Sequence, residues 1–492
     1  MRKISIIVSI AVGAALLALF VWMWGPQFAK TVFVSWRTFM SLVLLVVVGL
    51  GVVIALSYRA YTLDDSYNTS KSSLPFKLGA GVVGVLTLAM VVTFFVRVGY
   101  DSERHYAGSI KVVEDETPSF GSRAPYDVAV ASSNNNMGDI TGTSVGVKAV
   151  ADLGDDGQWN SMIERRGVGR GYEAIQTINA PLFGSVSNSD VSFCEFDESA
   201  NLRFNGFFPK NNLNRALDWQ IPFDVLYDTG DAYGYCEDGT PYVVIPLKET
   251  HGFYGAWQTP YGLALYNGKT GDINVTTDEK VINSTPGSTY PISLVSAQRA
   301  SSTSSGTLGD RLWGATGYLP GGDGNTEIQL GLADSGDATY VTPLSPNGDS
   351  NSIIGLGVSE AGSFTPGKLN DYTVYKYKDN ESRQAISAVT REIKTKYSGL
   401  TDWASGIDIF EIVPAEDGTW VASIGQNQSI KFRASIDEEK NIVLMDKDGN
   451  IISPEGAVSS TDGGTTDLGS LTPQQLTELV RNAMDELDKR VE

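Results

Sequence analysis

Three long runs of apolar residues lie within the first hundred positions, and no comparable run follows them. They are Ile4–Trp24, Thr38–Tyr58 and Leu78–Val96. About twenty apolar residues are enough for a helix to cross a hydrocarbon core of roughly 30 Å. The last run contains no charged residue and ends at Arg97. The pattern therefore predicts that residues 1–100 form an anchor of three transmembrane helices.

The first run has a second interpretation, a secretory signal peptide, because Arg2 and Lys3 precede it. Its apolar part is longer than the core of a signal peptide, and no small-residue cleavage pattern comes before Trp22 and Trp24. The retained span is therefore favoured. None of the three runs contains a side chain more polar than Ser or Thr, which favours an anchor over an ion or proton pathway. Small residues in the third run are predicted to pack against neighbouring helices: Gly79, Gly81, Gly84, Thr87 and Thr93.

From about residue 147 the pattern changes to short alternating apolar runs separated by Gly, Asn and Asp. This pattern is typical of antiparallel sheets. Asn267-Gly268 and Asp448-Gly449 are placed for hairpin turns. The fold class predicted is α+β, mainly antiparallel β modules, on the N-terminal three-helix transmembrane anchor. The predicted strands are Tyr242–Leu247, Leu263–Tyr266, Tyr340–Leu344, Tyr372–Tyr377, Trp420–Ile424, Ile430–Ile436 and Ile442–Asp446.

Helical periodicity appears at Asn380–Tyr397, with an apolar face that includes Ile393 and with Gly399 as its stop. A shorter helical piece is predicted over Glu164–Arg166 and Tyr172–Ile178. Residues 101–146 begin with a predicted strand and then become rich in Ser, Asn, Gly and Pro. They are predicted to be a stalk that lifts the body off the membrane.

One strand–turn–strand pattern recurs along the body, which predicts repeated β units. Thr240–Leu247 is similar to Ala338–Leu344, and Gly418–Ser423 opens a third unit. The alternative is that any β-rich chain offers such pairs. The predicted division is a first module at 147–285 and a second region at 286–458.

The run Asp238–Leu247, followed by His251-Gly252-Phe253 and by Leu263–Gly271, resembles the PepSY-type module. In such modules a strand, a variable loop and a strand ending in a D-x-x-T-G turn pack on a helix. The resemblance extends to large membrane proteins of bacteria and phages with a multi-span N-terminus. This chain departs from the pattern at Tyr266-Asn267, where a Val-Asp pair is usual. The resemblance implies small α+β modules that bind or inhibit envelope enzymes, and it implies no catalytic residue.

The C-terminus is predicted to be a linker at 459–470 and an amphipathic helix at 471–492. Thr472 suits the N-cap, Pro473 the first helical position and Gln475 the capping box. Its apolar face must be buried against the body or against a neighbouring molecule. The residues proposed for that contact are Leu476, Val480, Ala483, Met484 and Leu487.

Charge predicts on which side of the membrane the body lies. Residues 1–100 carry eight basic and two acidic side chains of the 37 and 57 in the chain, so the rest has a net charge of −26. Such a body disfavours nucleic acid and anionic lipid. The flanking Lys and Arg residues give a modest bias to a cytoplasmic N-terminus. The predicted location is the cell membrane with the large body extracytoplasmic, and the predicted partners are the lipid membrane and an envelope protein or other copies of the chain.

The chain has two histidines, His105 and His251, too few for a usual zinc site. His105 suits a place at the membrane surface, and His251 suits packing or a binding loop more than a catalytic base. No cofactor, metal or catalytic residue is expected. The acidic groups at Asp152–Asp156 and Asp446–Asn450 lack the spacing of a calcium loop, so solvated turns are favoured.

Three further candidates concern single residue types. Cys194 and Cys236 are the two cysteines, and outside the cell they are predicted to form a disulfide, with two separate buried thiols as the alternative. The Gly167–Gly171 run beside Arg165-Arg166 favours a flexible turn over an anion site. Trp257 and Trp313 lie in Gly-rich stretches, where they would stack on sugars or bind a protein, although core packing is the commoner role.

These patterns predict a membrane-anchored extracytoplasmic binding or assembly protein that is not an enzyme. Two alternatives stay open. One is an envelope glycan hydrolase, which needs two close carboxylates in a cleft. The other is a regulator of an envelope protease, which rests on the PepSY-like resemblance alone.

Overall fold

The structure is a computed structural model. It describes residues 13, 28–30, 32–33, 43, 46–62, 74–114, 116, 118–138, 140–149, 158–252, 257–314, 316–322, 327–333, 337–378, 383–415, 418–437, 439–454 and 458–459. The first predicted span, Ile4–Trp24, lies almost wholly outside these residues, as do the tail from residue 460 onward and the acidic group Asp152–Asp156.

The described helices vary widely in length. They are α1 (residues 46–62), α2 (Leu74–Ala107), α3 (Tyr126–Asn135), α4 (Leu213–Asp218), α5 (Glu279–Ser284), α6 (Ile292–Ala300), α7 (Leu308–Leu312) and α8 (Ile386–Lys396).

The described strands form four sheets, numbered here in order of first use. Sheet 1 has the order β3 (Gly142–Ala149), β4 (Gln158–Arg165), β5 (Tyr172–Asn179) and β7 (Val191–Glu195). Sheet 2 has the order β12 (Ile273–Thr276), β11 (Trp257–Asn267), β10 (Thr240–His251) and β8 (Val225–Tyr227), with β9 (Tyr233–Glu237) also on β10.

The other two sheets are larger and take in strands from distant parts of the chain. Sheet 3 has the order β1 (Ile110–Glu114), β17 (Tyr372–Lys376), β16 (Gly355–Glu360), β15 (Ala338–Pro346), β14 (Gln329–Ala333) and β2 (Phe120–Gly121), with β13 (Tyr318–Pro320) on β15. Sheet 4 has the order β18 (Asp408–Pro414), β19 (Trp420–Gln426), β20 (Ser429–Ile436), β21 (Ile442–Asp446), β22 (Ile451–Ile452) and β23 (Val458–Ser459), with β6 (Gly184–Ser185) on β20.

The fold class is therefore α+β with mainly antiparallel sheets, as predicted. Among the described strand pairs, β1 and β17 run parallel and the others run antiparallel. All seven predicted strands are present, as β10, β11, β15, β17, β19, β20 and β21, and β17 ends one residue before the predicted Tyr377. They were predictable because a strand with one buried face alternates apolar and polar residues along its length.

Both predicted hairpins are present. The β21–β22 turn has Gly449 at φ 78°, as expected of a tight turn. The β11–β12 hairpin is longer than predicted, and its positive φ occurs at Gly271 rather than at Gly268. Helix α8 is shorter than predicted because the preceding residue, Ala385, is extended, and it ends at Lys396, before Gly399. Its predicted face is right, since Ile393 and Tyr397 are buried.

The predicted helix over Glu164–Arg166 and Tyr172–Ile178 is wrong, because these residues lie in β4 and β5. Strand β5 is buried on both faces, from Ala174 to Ile178. A strand covered on both sides shows no period-two alternation, so its apolar run is easily read as a helix. The Gly167–Gly171 run is the turn between these strands, with positive φ at Gly167 and Gly169.

The predicted stalk at 101–146 is also wrong. Helix α2 continues past Arg97 to Ala107, and β1, β2, α3 and the start of β3 follow within the segment. The Ala and Ser residues of α3 are buried: Ser132 Oγ donates to Val128 O at 2.6 Å, and Ser133 Oγ donates to Gln176 Oε1 at 2.6 Å. Small residues let α3 pack closely on sheet 1, so a composition typical of loops here forms part of the core.

Two helices of the predicted anchor pack as an antiparallel pair. A methyl group at Gly49 on α1 would lie 2.4 Å from Thr87 Oγ1 on α2, and one at Gly79 would lie 3.7 Å from Leu56 Cδ1. Two of the predicted packing positions, Gly79 and Thr87, are thus at the contact. Within the part of the chain that the structure describes, no helix is both long enough and apolar enough to cross a membrane.

Sheet 3 joins strands of the predicted stalk, β1 and β2, to β13–β17 of the second predicted region. Sheet 4 includes strands from both predicted modules, since β6 joins β20. The three strands proposed to repeat, β10, β15 and β19, each begin an antiparallel pair with the next strand. The module boundaries and the repeat stay predictions. Four hydrophobic clusters among the described residues connect the sheets, so the interior is shared between them.

Candidate functional site

A cavity of about 140 Å³ lies where the four sheets meet. Each sheet provides one large side chain to its wall: Trp159 from β4, Tyr233 from β9, Tyr340 from β15 and Glu411 from β18. The remaining lining residues are Arg123, Tyr126, Gly230, Asp231, Ser288, Ile292, Ile328, Gln329 and Leu330.

Arg123 and Glu411 form a buried ion pair in this wall. The two guanidinium ends each contact one carboxylate oxygen, with Arg123 Nη1 at 2.9 Å from Glu411 Oε2. The backbone N–H of Tyr126 also donates to Glu411 Oε2 at 3.2 Å. The Arg123 guanidinium lies 5.4 Å from the centre of the Trp159 ring. A second arginine, Arg433, is buried nearby, and burial followed by the charge of Arg123 lowers its pKa.

Asp231 is the second buried carboxylate of the cavity. Its oxygens accept from the Ser293 backbone N–H at 3.0 Å and from Ser293 Oγ at 2.5 Å, and Lys248 Nζ lies 3.7 Å away. Burial raises the pKa of the Asp231 carboxyl above its ordinary value, and the nearby Lys248 charge only partly opposes this. The group is therefore a carboxylate whose charge is held by one lysine and one serine.

The tyrosines of the wall use their hydroxyl groups elsewhere. Tyr233 donates to Pro286 O at 2.7 Å, and Tyr340 donates to Tyr290 O at 3.0 Å. Two buried polar atoms of the lining residues have no hydrogen-bond partner within the described structure, Trp159 Nε1 and Gln329 Oε1. The cavity thus combines aromatic walls, charges that neutralise one another and unused hydrogen-bonding capacity, which suits binding of a small polar molecule or water.

The two predicted histidines meet at Trp257. The His105 ring stacks on the indole with centroids 3.6 Å apart and planes 9° apart, and the His251 ring lies 5.8 Å away. His251 Nε2 lies 2.6 Å from Thr259 Oγ1. Burial lowers the pKa of His105, while the Asp101 charge acts in the opposite direction. Trp257 therefore packs against protein rings at the start of β11, the commoner of the two roles considered for it.

Trp313 is the predicted contact residue that the structure leaves open. It follows α7, and 87% of its surface is exposed. The described structure does not bring it together with the central cavity, whose lining excludes it. The tail residues Leu476, Val480, Ala483, Met484 and Leu487 lie outside the described residues.

Cys194 and Cys236 are brought together but are free cysteines. Both lie beside Ile175 on β5: Cys194 is its strand partner on β7, and Cys236 Sγ lies 4.0 Å from its carbonyl oxygen. A hydrogen bond between the two thiols lowers the pKa of Cys194 and raises that of Cys236. The structure thus places the two free thiols close together, and the disulfide stays a prediction.

Two other predicted candidates have ordinary structural roles. Arg165, considered for an anion site, pairs with Glu173 at 2.6 Å and donates to Phe196 O. Asp446 accepts from the backbone N–H groups of Asp448 and Asn450, an ordinary turn arrangement. Among the described residues, no group of three or more His, Cys, Asp or Glu side chains is placed to hold a metal ion.

Sequence reasoning missed the residues of the cavity. Arg123 and Glu411 are 288 positions apart, and Asp231 lies in a polar turn that resembles many others. No local signal marks such residues, because their proximity comes from the packing of the four sheets. Comparison of the chain with protein-family models, with curated proteins and with solved structures finds no match.

Proposed function

We propose that the chain is a membrane-anchored binding or assembly protein of the cell envelope, without catalytic activity and with its body on the extracytoplasmic side. The contact between the body and the predicted anchor, the apolar surfaces of α1 and α2 and the chemistry of the cavity support this proposal.

The contact between the body and residues 28–33 carries the proposal. Lys30 Nζ lies 3.4 Å from Asp218 Oδ1 and donates to Val225 O at 3.4 Å, with both charged side chains almost fully buried. The rings of Phe33 and Phe223 are 6.2 Å apart. Residues 28–33 lie between the first and second apolar runs. In a three-span anchor this loop and the body that follows the third run lie on the same side of the membrane, as this contact requires.

The surfaces of α1 and α2 are apolar where they face away from each other. Val47, Ile54, Val82, Val85 and Leu88 are all exposed. Of the 29 exposed large apolar side chains among the described residues, 18 lie between Phe28 and Val92, although the body is several times longer than this segment. Apolar patches of this extent on a protein surface mark contact with a membrane or a partner. Together with the three uncharged runs, they favour lipid as the surroundings of these helices.

The central cavity favours binding over catalysis. Both oxygens of Glu411 are engaged by Arg123, and the Ser293 side chain that contacts Asp231 is itself held by Lys248 at 2.7 Å. A general acid or base needs a lone pair or a proton that substrate can reach. These carboxylates are bonded to other groups of the protein, so the cavity is better suited to binding a small molecule than to catalysis.

A glycan hydrolase is the second candidate, because Asp231 and Glu411 line one cavity and the pKa of Asp231 is raised. Hydrolysis of purified cell-wall glycan by the intact protein, abolished in Asp231→Asn, would establish it. A regulator of an envelope protease is the third possibility, and it rests on the PepSY-like resemblance.

The decisive experiment is cross-linking of the intact protein in its own membrane, followed by mass spectrometry. We expect links between copies of the chain or to an envelope protein, and retention in the membrane fraction at alkaline pH. Release at alkaline pH would contradict the anchor. Links to one protease with loss of its activity would favour the regulator instead.

The predicted tail helix can be tested within the same experiment. Val480→Ser with Leu487→Ser should remove most links from residues 471–492, because these changes interrupt the apolar face. Glu478→Gln with Asp485→Asn is the matched control, since it alters the polar face and should leave the links unchanged. If both pairs behave alike, the tail does not mediate assembly.

A further inference from the structure

Two exposed aromatic sites on the body lie beside residues that flank the apolar runs. One is Trp219 and Phe223, on the segment after α4, exposed by 64% and 56%. The other is Leu312 and Trp313, at the end of α7, exposed by 58% and 87%. The two sites come from different parts of the chain and share no strand or helix.

The first site is attached to residues 28–33. Asp218 pairs with Lys30, and the Phe223 ring contacts Phe33. Phe33 lies five positions before Thr38, where the second apolar run begins. Phe28, Val32 and Phe33 are themselves exposed. Trp219 and Phe223 therefore extend an apolar surface that begins on the anchor side of the contact.

The second site is attached to α2 just beyond the third apolar run. Arg311 Nη2 lies 2.5 Å from Glu103 Oε1, and Tyr100 Oη donates to Gly306 O at 2.7 Å. A methyl group at Gly99 would lie 3.5 Å from Arg311 Nη2. Gly99 is three residues past Val96, which corresponds to about 5 Å along a helix. The headgroup layer beyond the hydrocarbon core is about 5–8 Å thick on each side, so α7 lies at its depth.

One charge pair lies next to each site. Lys30 pairs with Asp218, and Arg311 pairs with Glu103. The Trp and Leu or Phe side chains therefore present apolar surface with an indole N–H at its edge. This combination is enriched where proteins meet the boundary between lipid headgroups and acyl chains.

We propose that Trp219, Phe223, Leu312 and Trp313 are lipid contacts through which the body rests on the leaflet that its anchor enters. This inference rests on the proposed membrane anchor and assigns Trp313 to lipid rather than to a sugar or a protein. The body is thereby held at three places: by the continuous helix α2, by the Trp219 site and by the Trp313 site.

The test is fluorescence quenching of the full chain in phosphatidylcholine vesicles, with or without bromine atoms near the headgroup end of the acyl chains. Subtracting the fluorescence of Trp219→Phe or Trp313→Phe from that of the wild type gives the contribution of each indole. Both positions are exposed, so the fold is retained. Trp403→Phe is the matched control, since that half-buried indole donates to Tyr397 O at 2.8 Å. We expect brominated lipid to quench the Trp219 and Trp313 components at least about twofold and to leave the Trp403 component unchanged.

Aqueous iodide separates the outcomes. Strong quenching of Trp219 and Trp313 by iodide, with none by brominated lipid, would overturn the inference and leave these indoles facing water or a protein partner. Trp22, Trp24 and Trp36 report on the anchor in the same sample, since they lie in or beside the apolar runs. If the protein does not enter the vesicles and no tryptophan is quenched by lipid, the anchor itself is wrong. The two failures are thus distinguishable.

Discussion

At the scale of single residues, the interior of the body holds charged side chains that are each paired with one opposite charge. Arg123 with Glu411 and Asp231 with Lys248 are both nearly inaccessible to water. A buried pair adds little net stability over an apolar pair of the same shape, but removal of one partner leaves a charge that water cannot reach. Such positions respond to substitution far more strongly than surface pairs do.

The ion pair in the cavity wall gives the first prediction. Glu411→Gln should lower the free energy of unfolding by about 3–5 kcal/mol, because the Arg123 charge loses its partner beside the equally buried Arg433. Asp371→Asn, which breaks the exposed pair of Lys111 with Asp371, should cost less than about 1 kcal/mol. Unfolding in denaturant, followed by circular dichroism, measures both. Equal costs would show that the Glu411 pair is exposed to solvent.

The second prediction concerns pH. Burial raises the pKa of Asp231 above the ordinary value of 3.8, so over the pH range just above 3.8 the folded protein binds a proton that the unfolded chain has lost. Stability should therefore fall as pH rises through this range. Asp231→Asn lacks this contribution, so the stability of the wild type relative to the variant should decrease with rising pH. Parallel curves for the two proteins would contradict the raised pKa.

At the scale of elements, small residues decide which helices come close. The antiparallel pair α1 and α2 meets where Gly49 faces Thr87. Helix α3 meets sheet 1 where Ser133 Oγ donates to Gln176 Oε1 on β5. In both places a larger side chain would separate the elements. Two glycines of the same helix nonetheless have different roles, because Gly51 has open space around its Cα.

This difference gives the third prediction. Gly49→Leu should destabilise the detergent-solubilised protein by about 1–3 kcal/mol, since no rotamer avoids Thr87. Gly51→Leu, two positions away on a face open to the surroundings, should leave stability unchanged. Thermal unfolding of both variants under identical conditions makes the comparison. If Gly51→Leu is the more harmful, α1 meets α2 through its other face.

At the scale of the whole molecule, the body contacts the segments of the predicted anchor at more than one place. Helix α2 runs without interruption from the third apolar run to Ala107, where Tyr106 Oη accepts from the Gln258 backbone N–H at 2.7 Å. Residues 28–33 make a second attachment through Asp218 and Phe223. A body held at two places cannot swing about α2 as a stalked domain would.

The fourth prediction tests this arrangement. With Cys194 and Cys236 replaced by Ser, Phe33→Cys and Phe223→Cys should be joined by a short bifunctional thiol reagent in intact membranes, because their rings are neighbours. Tyr58→Cys with Phe223→Cys is the control, since Tyr58 closes the second run at its other end and should lie across the membrane. Mass spectrometry of the joined peptides identifies the links. Joining of the control pair alone would reverse the proposed topology.

The alternation of apolar and polar residues in the sequence was sufficient to predict the seven strands, the buried face of α8 and the α+β class. Each of those elements buries one face and exposes the other, so its local sequence shows a regular spacing of apolar and polar residues. Where an element is buried on all sides, as β5 is, or uses small residues to pack, as α3 does, the local pattern was misleading and only tertiary packing decided the structure.

The candidate site depended still more on tertiary structure. The sequence alone determined that the chain has three membrane-length apolar runs, an acidic body and too few histidines for a usual zinc centre. It could not indicate that Arg123 would meet Glu411, that Trp257 would be enclosed by two histidines or that Trp313 would remain exposed. Those outcomes depend on contacts between residues far apart in the chain, and such contacts are set by how four sheets share one interior rather than by any local pattern.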